Sequence, residues 1–481
     1  MRTTITVDVG TTSIKLSVFD ADADLVASHR ISTPTMRDAA GEIYDARALR
    51  AAVVEFVARL APAQRQGVER VAITGVGESG GLVRADLSLA SPLILWHDQR
   101  GAPLLSGLGR RERTRIYEVT GLPVSGNYGL SKAAWAAREA GPEASDAQWL
   151  NVAEYLAAVM TGERWSEPSL ASRTMALDLT SGTWSDEVCD LFGLRADVFP
   201  RLRAAADGVR ISQEFASSVG LSSDVVVHVA GHDHMVGGVG AELQPGELLN
   251  STGTTEGLLF LRDAPTLDEH AERAKLANGL SCAGDGYTLF ASIPTGGSAF
   301  ATLQHLTGLD ASELGARTDR LHERYLDGAL DPMDAPIVLP RFRGSPPPTK
   351  DASARGIVAG LRADTGVDDL VFGCFLGMAL QFRDVLDLFP LHADRIKVIG
   401  PASGNLLWQQ LKADLLGVAL TSSRDPQVVS QGAQALASDH LPAWASTDPY
   451  DTPADADRHA RLTGWADAIA SRWEYLKGMP S

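Results

Sequence analysis

The stretch Asp8-Val9-Gly10-Thr11-Thr12-Ser13-Ile14-Lys15 decides how this sequence is read. Upstream, Ile5 and Val7 alternate with Thr4, Thr6 and Asp8; downstream, Ile14, Leu16 and Val18 alternate with Lys15, Ser17 and Phe19. Period-two patterns on both sides of a short Gly/Thr/Ser run predict a β-hairpin. Residues 25–31 predict a third strand after the turn at 20–24. The turn carries more chemistry than a hairpin needs. Gly10 permits close backbone approach. Thr11, Thr12 and Ser13 set hydroxyls beside consecutive backbone N–H groups, the kind of nest that holds anions. Lys15 could reach a phosphate as a point charge, and Asp8 ends the strand where a carboxylate could hold hydrated Mg²⁺. The competing reading is an ordinary Thr-rich turn.

A second copy favours the phosphate reading. Leu248-Leu249-Asn250-Ser251-Thr252 runs into Gly253-Thr254-Thr255, and Gly257-Leu258-Leu259-Phe260-Leu261 leaves it. The copies lie about half a chain apart, too far for a solenoid repeat and right for two duplicated domains. Two such hairpins across a cleft could grip the terminal phosphates of one nucleotide.

Taken together, Asp8-x-Gly-Thr-Thr-Ser-x-Lys15, the Gly-Thr-Thr at 253–255 and Trp96-His97-Asp98-Gln99-Arg100 resemble the FGGY carbohydrate kinases, in the superfamily of actin, hexokinase and the chaperone ATPases. The resemblance covers nearly the whole chain. It implies an α/β fold of two actin-like (ribonuclease H-like) domains, mixed sheets flanked by helices, with catalysis in the interdomain cleft. The expected division is residues 1–243 for sugar and phosphate and 244–481 for nucleotide. It further implies ATP and Mg²⁺ as cofactors, a small sugar or polyol as acceptor (a ketopentose such as xylulose first), a cytoplasmic location and room for a homodimer.

Composition is consistent with this. At 481 residues the chain exceeds one hydrophobic core. A net charge of −17 argues against nucleic acid or an anionic membrane as partner. Cys189, Cys282 and Cys374 are too few and too scattered for a disulfide framework. No apolar run is long enough to span a bilayer, and no secretory leader is visible.

The catalytic candidate follows an apolar, β-branched strand at 225–229. That strand delivers Gly231-His232-Asp233-His234 and then a small-residue helix, placing Asp233 at the helix N-terminus. By resemblance, the Asp of Gly-x-Asp is the general base, and with Asp8 it serves the metal. The chemistry needs one, because a sugar hydroxyl is a weak nucleophile. A metal cluster or a simple N-cap are the other readings of the same three residues.

Substrate contacts are expected from Asp98, Glu78, Trp96, Arg100 and His234. Glu78 stands where these kinases usually have Gln, within Gly77-Glu78-Ser79-Gly80. Asp98 and Arg100 could instead pair with each other. On the nucleotide side, Gly400 opens a strand-to-helix turn in which Pro401 and Ala402 replace the family's usual glycines. Asn405 there could cap the following helix or bond adenine. The Pro-rich loop 340–348 reads as a rigid structural element. A chaperone-like or filament-forming ATPase of the same superfamily is the rival class.

Overall fold

The computed structural model describes residues 2–479 apart from 285, 439 and 441. The two hairpins seed two mixed sheets of one plan. In the first, Thr3–Val9 pairs antiparallel with Ser13–Phe19, which pairs antiparallel with Leu25–Ser32. On its other edge, Thr3–Val9 runs parallel to Val68–Gly75, and that strand parallel to Val226–His232. Val209–Arg210 closes the sheet antiparallel. In the second, Glu247–Thr252 pairs antiparallel with Glu256–Arg262, and that strand with Tyr287–Ile293. Parallel neighbours Arg395–Ile399 and Leu420–Ser423 lie on the other side, then the antiparallel Pro449–Thr452. One extra strand, Ala277–Leu280, extends the second sheet.

Helices cover the parallel strands, because parallel neighbours require long crossovers. This explains why every residue of Thr3–Val9 is buried, threonines included. The helix Ala46–Arg59 starts where Asp45 accepts from the Ala48 N–H, and it buries Leu49, Val53, Phe56 and Val57 along one stripe. In the second half, Phe375, Trp408, Trp465 and Trp473 share one core. The three cysteines are buried and unbridged. No helix among the described residues is long and apolar enough to cross a membrane.

Two local expectations are corrected. The pattern at 149–160 predicts one helix, but Gln148–Asn151 is a strand paired with Gly80–Val83, and the helix is Val152–Thr161. Asn151 explains the break. Its oxygen accepts from Ala153 N at 3.1 Å while its amide donates to the Val76 and Gly77 carbonyls. A tertiary tie thus sets the helix start. The sequence also predicts a helix over 131–139 capped by Ser131, but the helix is Gly129–Ala140, and the Ser131 hydroxyl donates back to the Tyr128 carbonyl.

The halves meet closely at one helix crossing. Asp233–Gly240 packs on Val428–Leu436, a helix from the other half of the sequence. A Cβ at Gly240 would lie 1.9 Å from the Val428 carbonyl oxygen, and one at Gly432 would lie 2.1 Å from that of Val236. Only glycine allows backbones this near. Alongside, Gln427 accepts from the Ser17 hydroxyl at 3.1 Å.

Candidate active site

Asp233 is the first residue of its helix, at the end of strand Val226–His232. The strand's register slips between Val229 and Gly231, a bulge that re-aims the end of the strand. The turn is then fixed from behind. Gly231 adopts φ 123°, and a Cβ there would sit 2.5 Å from Ser169 Oγ. Ser169 Oγ accepts from His232 N at 2.9 Å and donates to the buried Glu167. Thr74 donates to the Gly231 carbonyl at 2.7 Å.

The Asp233 carboxylate accepts one short bond, from the His234 N–H at 2.8 Å, and lies 3.4 Å from His232 Nε2. About a fifth of the side chain reaches solvent: 21%. Burial, reinforced by the nearby carboxylates of Asp8 and Glu78, pushes its pKa above the ordinary aspartate value, while His234 and the backbone N–H oppose this. Burial holds His232 well below the usual imidazole value, so its ring is neutral. Three carboxylates from three strand ends therefore share one field around Asp233.

The substrate candidates separate into two groups. Glu78 accepts from Arg173 Nε and Nη2 on its Oε1, at 2.9 and 2.7 Å. His234 Nδ1 shares a hydrogen bond with Ser251 Oγ at 2.8 Å and packs on Phe290. These two lie beside Asp233. Asp98 and Arg100 do pair with each other, at 2.8 Å, and Arg100 also donates to Asp38. They line a cavity of about 500 Å³ with Arg37, Gly41, Glu42 and His97. Trp96 connects this cavity to the first hairpin, its indole N–H donating to Thr11 Oγ1 at 3.0 Å.

At the first hairpin, Gly10 N donates to Ser13 O at 3.1 Å, and Thr33 ties the turn to the next strand through the Gly10 and Thr12 carbonyls. Asp8 and Lys15 are cross-strand neighbours and pair at 3.5 Å; Lys15 also donates to the Pro426 carbonyl. The second hairpin, 253–255, rests on two glycine contacts. A Cβ at Gly297 would meet Gly253 O at 2.7 Å, and one at Gly400 would meet Thr252 O at 2.7 Å. Backbone N–H groups of Gly296, Gly297 and Ser298 donate to Thr254 and Gly253 carbonyls. Asn405 accepts from Trp408 N at 2.9 Å and so caps Leu406–Leu416. Ser251 and His234 join this hairpin's strand to the Asp233 helix, so both hairpins converge on the same turn.

The candidate residues read from the sequence leave out four side chains here, two of them, Glu167 and Arg173, within the stretch 167–174 that by resemblance lines the cleft. Lys132 is fully buried and donates to the Glu78, Trp96 and Asn127 carbonyls. Burial lowers its pKa to about 7, with Glu78 and Asp98 opposing. Its signal is a lysine among Leu130, Ala133, Ala134 and Ala136, a charge on an otherwise apolar helix face. Glu154 and Glu167 are buried carboxyls pushed up by burial to about 7 and about 8. They brace Ser166 and Ser169 behind the Asp233 turn. Arg173 sits between the rings of Tyr128 and Phe290.

Comparison with known proteins fits this geometry. The model described as "FGGY family of carbohydrate kinases, N-terminal domain" matches residues 3–240, and that for the C-terminal domain of the same family matches residues 248–438. A glycerol kinase from Shewanella frigidimarina is 26% identical, the alignment covering 97% of each chain. One from Thermococcus kodakarensis is 25% identical over 99% of this chain and 98% of its own. Among solved structures, a xylulose kinase from Lactobacillus acidophilus superimposes with a TM-score of 0.88 at 19% identity, over 99% of both chains. A gluconate kinase from the same organism gives 0.87 at 20% identity, over 99% of this chain and 98% of its own. Glycerol kinase from Plasmodium falciparum, solved with ADP, gives 0.83 at 18% identity and 98% of both. These structural likenesses fix the fold as actin-like.

Proposed function

This chain belongs to the FGGY family of carbohydrate kinases, and from that premise we propose that Asp233 is the general base of its reaction. The enzyme is an ATP-dependent sugar or polyol kinase, which sets aside the non-kinase ATPase as a rival. A hydroxyl of the acceptor gives its proton to Asp233 as its oxygen bonds to the γ-phosphorus, and ADP leaves. The observation that carries the assignment is the state of that carboxylate. It opens a helix between two phosphate hairpins, accepts one short bond from its neighbour's N–H, and has its pKa raised. A partly solvated carboxylate with a free oxygen and increased basicity suits proton abstraction.

Gly10, Thr11, Thr12 and Ser13 on one side, and Gly253, Thr254 and Thr255 on the other, hold the phosphates in this reading. Lys15 screens Asp8. Gly400 positions the backbone turn against which adenosine lies. Mg²⁺ fits at Asp8 and Asp233, because these two carboxylates repel each other and, among the described residues, the Lys or Arg paired with either is Lys15, 3.5 Å from Asp8. Bound there, it would neutralise phosphate charge. Glu78 and His234, beside the base, are the acceptor contacts we favour; Trp96 positions Thr11, and Asp98 with Arg100 shapes the adjoining cavity.

Xylulose, glycerol and gluconate, the acceptors named for the similar kinases, share an open polyhydroxy chain ending in a primary hydroxyl. We extend that class to this enzyme, with xylulose as the first ketose to test. Cytoplasmic residence, where ATP is available and buried thiols stay reduced, and a homodimer complete the proposal.

The test is Asp233→Asn. Its kcat should fall by about 10²–10⁴-fold, with the KM for ATP little changed, measured by ADP release. In the parent enzyme kcat/KM should fall as pH drops through the pKa of Asp233, at higher pH than an ordinary aspartate would give. Because the folded-state pKa is raised, the ionised carboxylate costs stability above its unfolded-state pKa, and the cost is relieved as pH falls. The Asn variant should therefore melt higher at neutral pH, which separates lost chemistry from lost fold. Near-parent turnover in that variant would remove the base assignment.

A further inference from the structure

We propose that Lys132 is a positioning residue for the acceptor: through three main-chain carbonyls its ammonium fixes Glu78 and the 96–100 segment in the arrangement that binds the acceptor, and acceptor affinity falls when that ammonium loses a proton. This rests on the kinase reading above and on Glu78 as an acceptor contact.

Lys132 has no exposed surface, and its Nζ donates to three carbonyls, that of Glu78 at 3.1 Å, that of Trp96 at 2.7 Å and that of Asn127. Each belongs to a different segment. Glu78 follows the strand Val68–Gly75, Trp96 opens the run to Arg100, and Asn127 precedes the lysine's own helix, Gly129–Ala140.

From this knot the ties run outward to groups already placed at the site. Glu78 is held at both ends, its carbonyl by Lys132 and its Oε1 by Arg173 at 2.9 and 2.7 Å. Its Oε2 accepts nothing from the described residues and is left for a hydroxyl. Trp96 donates to Thr11 of the first hairpin at 3.0 Å. His97, Asp98, Gln99 and Arg100 line the cavity of about 500 Å³. Trp135 stands one turn after Lys132 on the same helix face, and its ring lies 4.8 Å from the Arg100 guanidinium. Gln99 donates to Asn127 Oδ1 at 2.7 Å. A Cβ at Gly101 would sit 2.5 Å from the Ser131 carbonyl, so segment and helix touch main chain to main chain.

Proton count makes the knot depend on charge. An ammonium has three N–H donors and no acceptor, matched one to one by the three carbonyls. A neutral amine has two donors and a lone pair. One carbonyl would then face that lone pair at a site solvent does not reach, which is costly. The Glu78 bond is longer than the Trp96 bond, so it is the readier of the two to be given up, and with it goes the main-chain position of the residue that reads the acceptor. Burial lowers the Lys132 pKa to about 7, with Glu78 and Asp98 opposing and Arg100 adding to it. His97 also feels the ammonium, but burial holds its ring below the usual imidazole value, so it is neutral where Lys132 titrates. Asp233 acts with the opposite sign, since losing its proton makes the base.

The experiment measures ADP release by the full-length enzyme from about pH 6 to about pH 9, a range that brackets the Lys132 titration. The acceptor is varied at saturating MgATP, then ATP at saturating acceptor. Glycerol, xylulose and gluconate are tried first, then other short-chain polyols, ketoses and sugar acids. In the parent enzyme the KM of the acceptor should rise about tenfold or more across the range, as expected for one lost hydrogen bond to a charged group, while the KM for ATP changes far less. Lys132→Met should show the high acceptor KM at every pH, without that titration and with a smaller effect on kcat. An acceptor KM that stays level across the range in the parent overturns the proposal, and that result requires no variant to fold. So does a folded Lys132→Met enzyme with the parental acceptor KM, even one that melts at lower temperature, since the lysine would then serve stability alone. Both results leave the kinase reading intact. If phosphorus NMR finds no phosphoester from any acceptor, the kinase reading falls and this inference with it.

Discussion

The two Gly-Thr-Thr hairpins are copies in sequence and in sheet position, yet their surroundings differ in kind. At the first, the flanking charges stay near the open site: Asp8 and Lys15 pair loosely, and Asp8 adds its field to that of Asp233. At the second, the flanking charge is withdrawn. Glu256, the first residue after the turn, is ion-paired with Lys412, which also donates to Asn250 at 2.7 Å and lies over the Trp408 ring at 4.1 Å. Lys412 and Glu256 have 0% and 1% side-chain exposure. Both copies keep the Gly-Thr-Thr turn. One copy leaves its carboxylate in the field of Asp233, and the other locks its charges into the core.

That contrast can be broken at its strongest point with Lys412→Met. Removing one partner of a buried pair leaves Glu256 uncompensated, and we expect a loss of about 3–5 kcal/mol in denaturant melts. The double variant Lys412→Met/Glu256→Gln should recover part of it. A single variant as stable as the parent would mean that the buried charges do not hold the second hairpin.

Asp8→Asn addresses the other side. The first hairpin should keep its fold, while the Mg²⁺ concentration for half-maximal rate rises about 10–100-fold. An unchanged Mg²⁺ titration would make the two hairpins alike in being mere clamps. Smallest is Asn405→Ala. Its oxygen is committed to the cap of Leu406–Leu416, so we expect about 1 kcal/mol of destabilisation and an unaltered KM for ATP. A raised KM would move Asn405 from the scaffold to the nucleotide.

Legibility in the sequence tracks the range of the forces involved. Both hairpins, the helix Ala46–Arg59 and the strand-to-helix step at Asp233 are readable, because alternation, periodicity and capping are local signals. The helix expected at 149–160 fails where Asn151 bonds to carbonyls about 75 residues away. The pairing of Asp98 with Arg100 is one of two options the sequence offers, but the third member, Asp38, comes from a distant hairpin. Lys132, Arg173 and the Glu167–Ser169 brace are defined by what surrounds them. Their partners are mostly main-chain groups or rings, which leave no pattern in the order of residue types.

The glycine crossing between Asp233–Gly240 and Val428–Leu436 bears on how such an enzyme can move. Where two main chains touch with no side chains between them, there is little to interlock, and a small rotation costs least there. The Asp233 carboxyl sits at one end of that pivot. Lobes turning about it would sweep their outer rims through the largest arc, while Asp233 itself scarcely shifts.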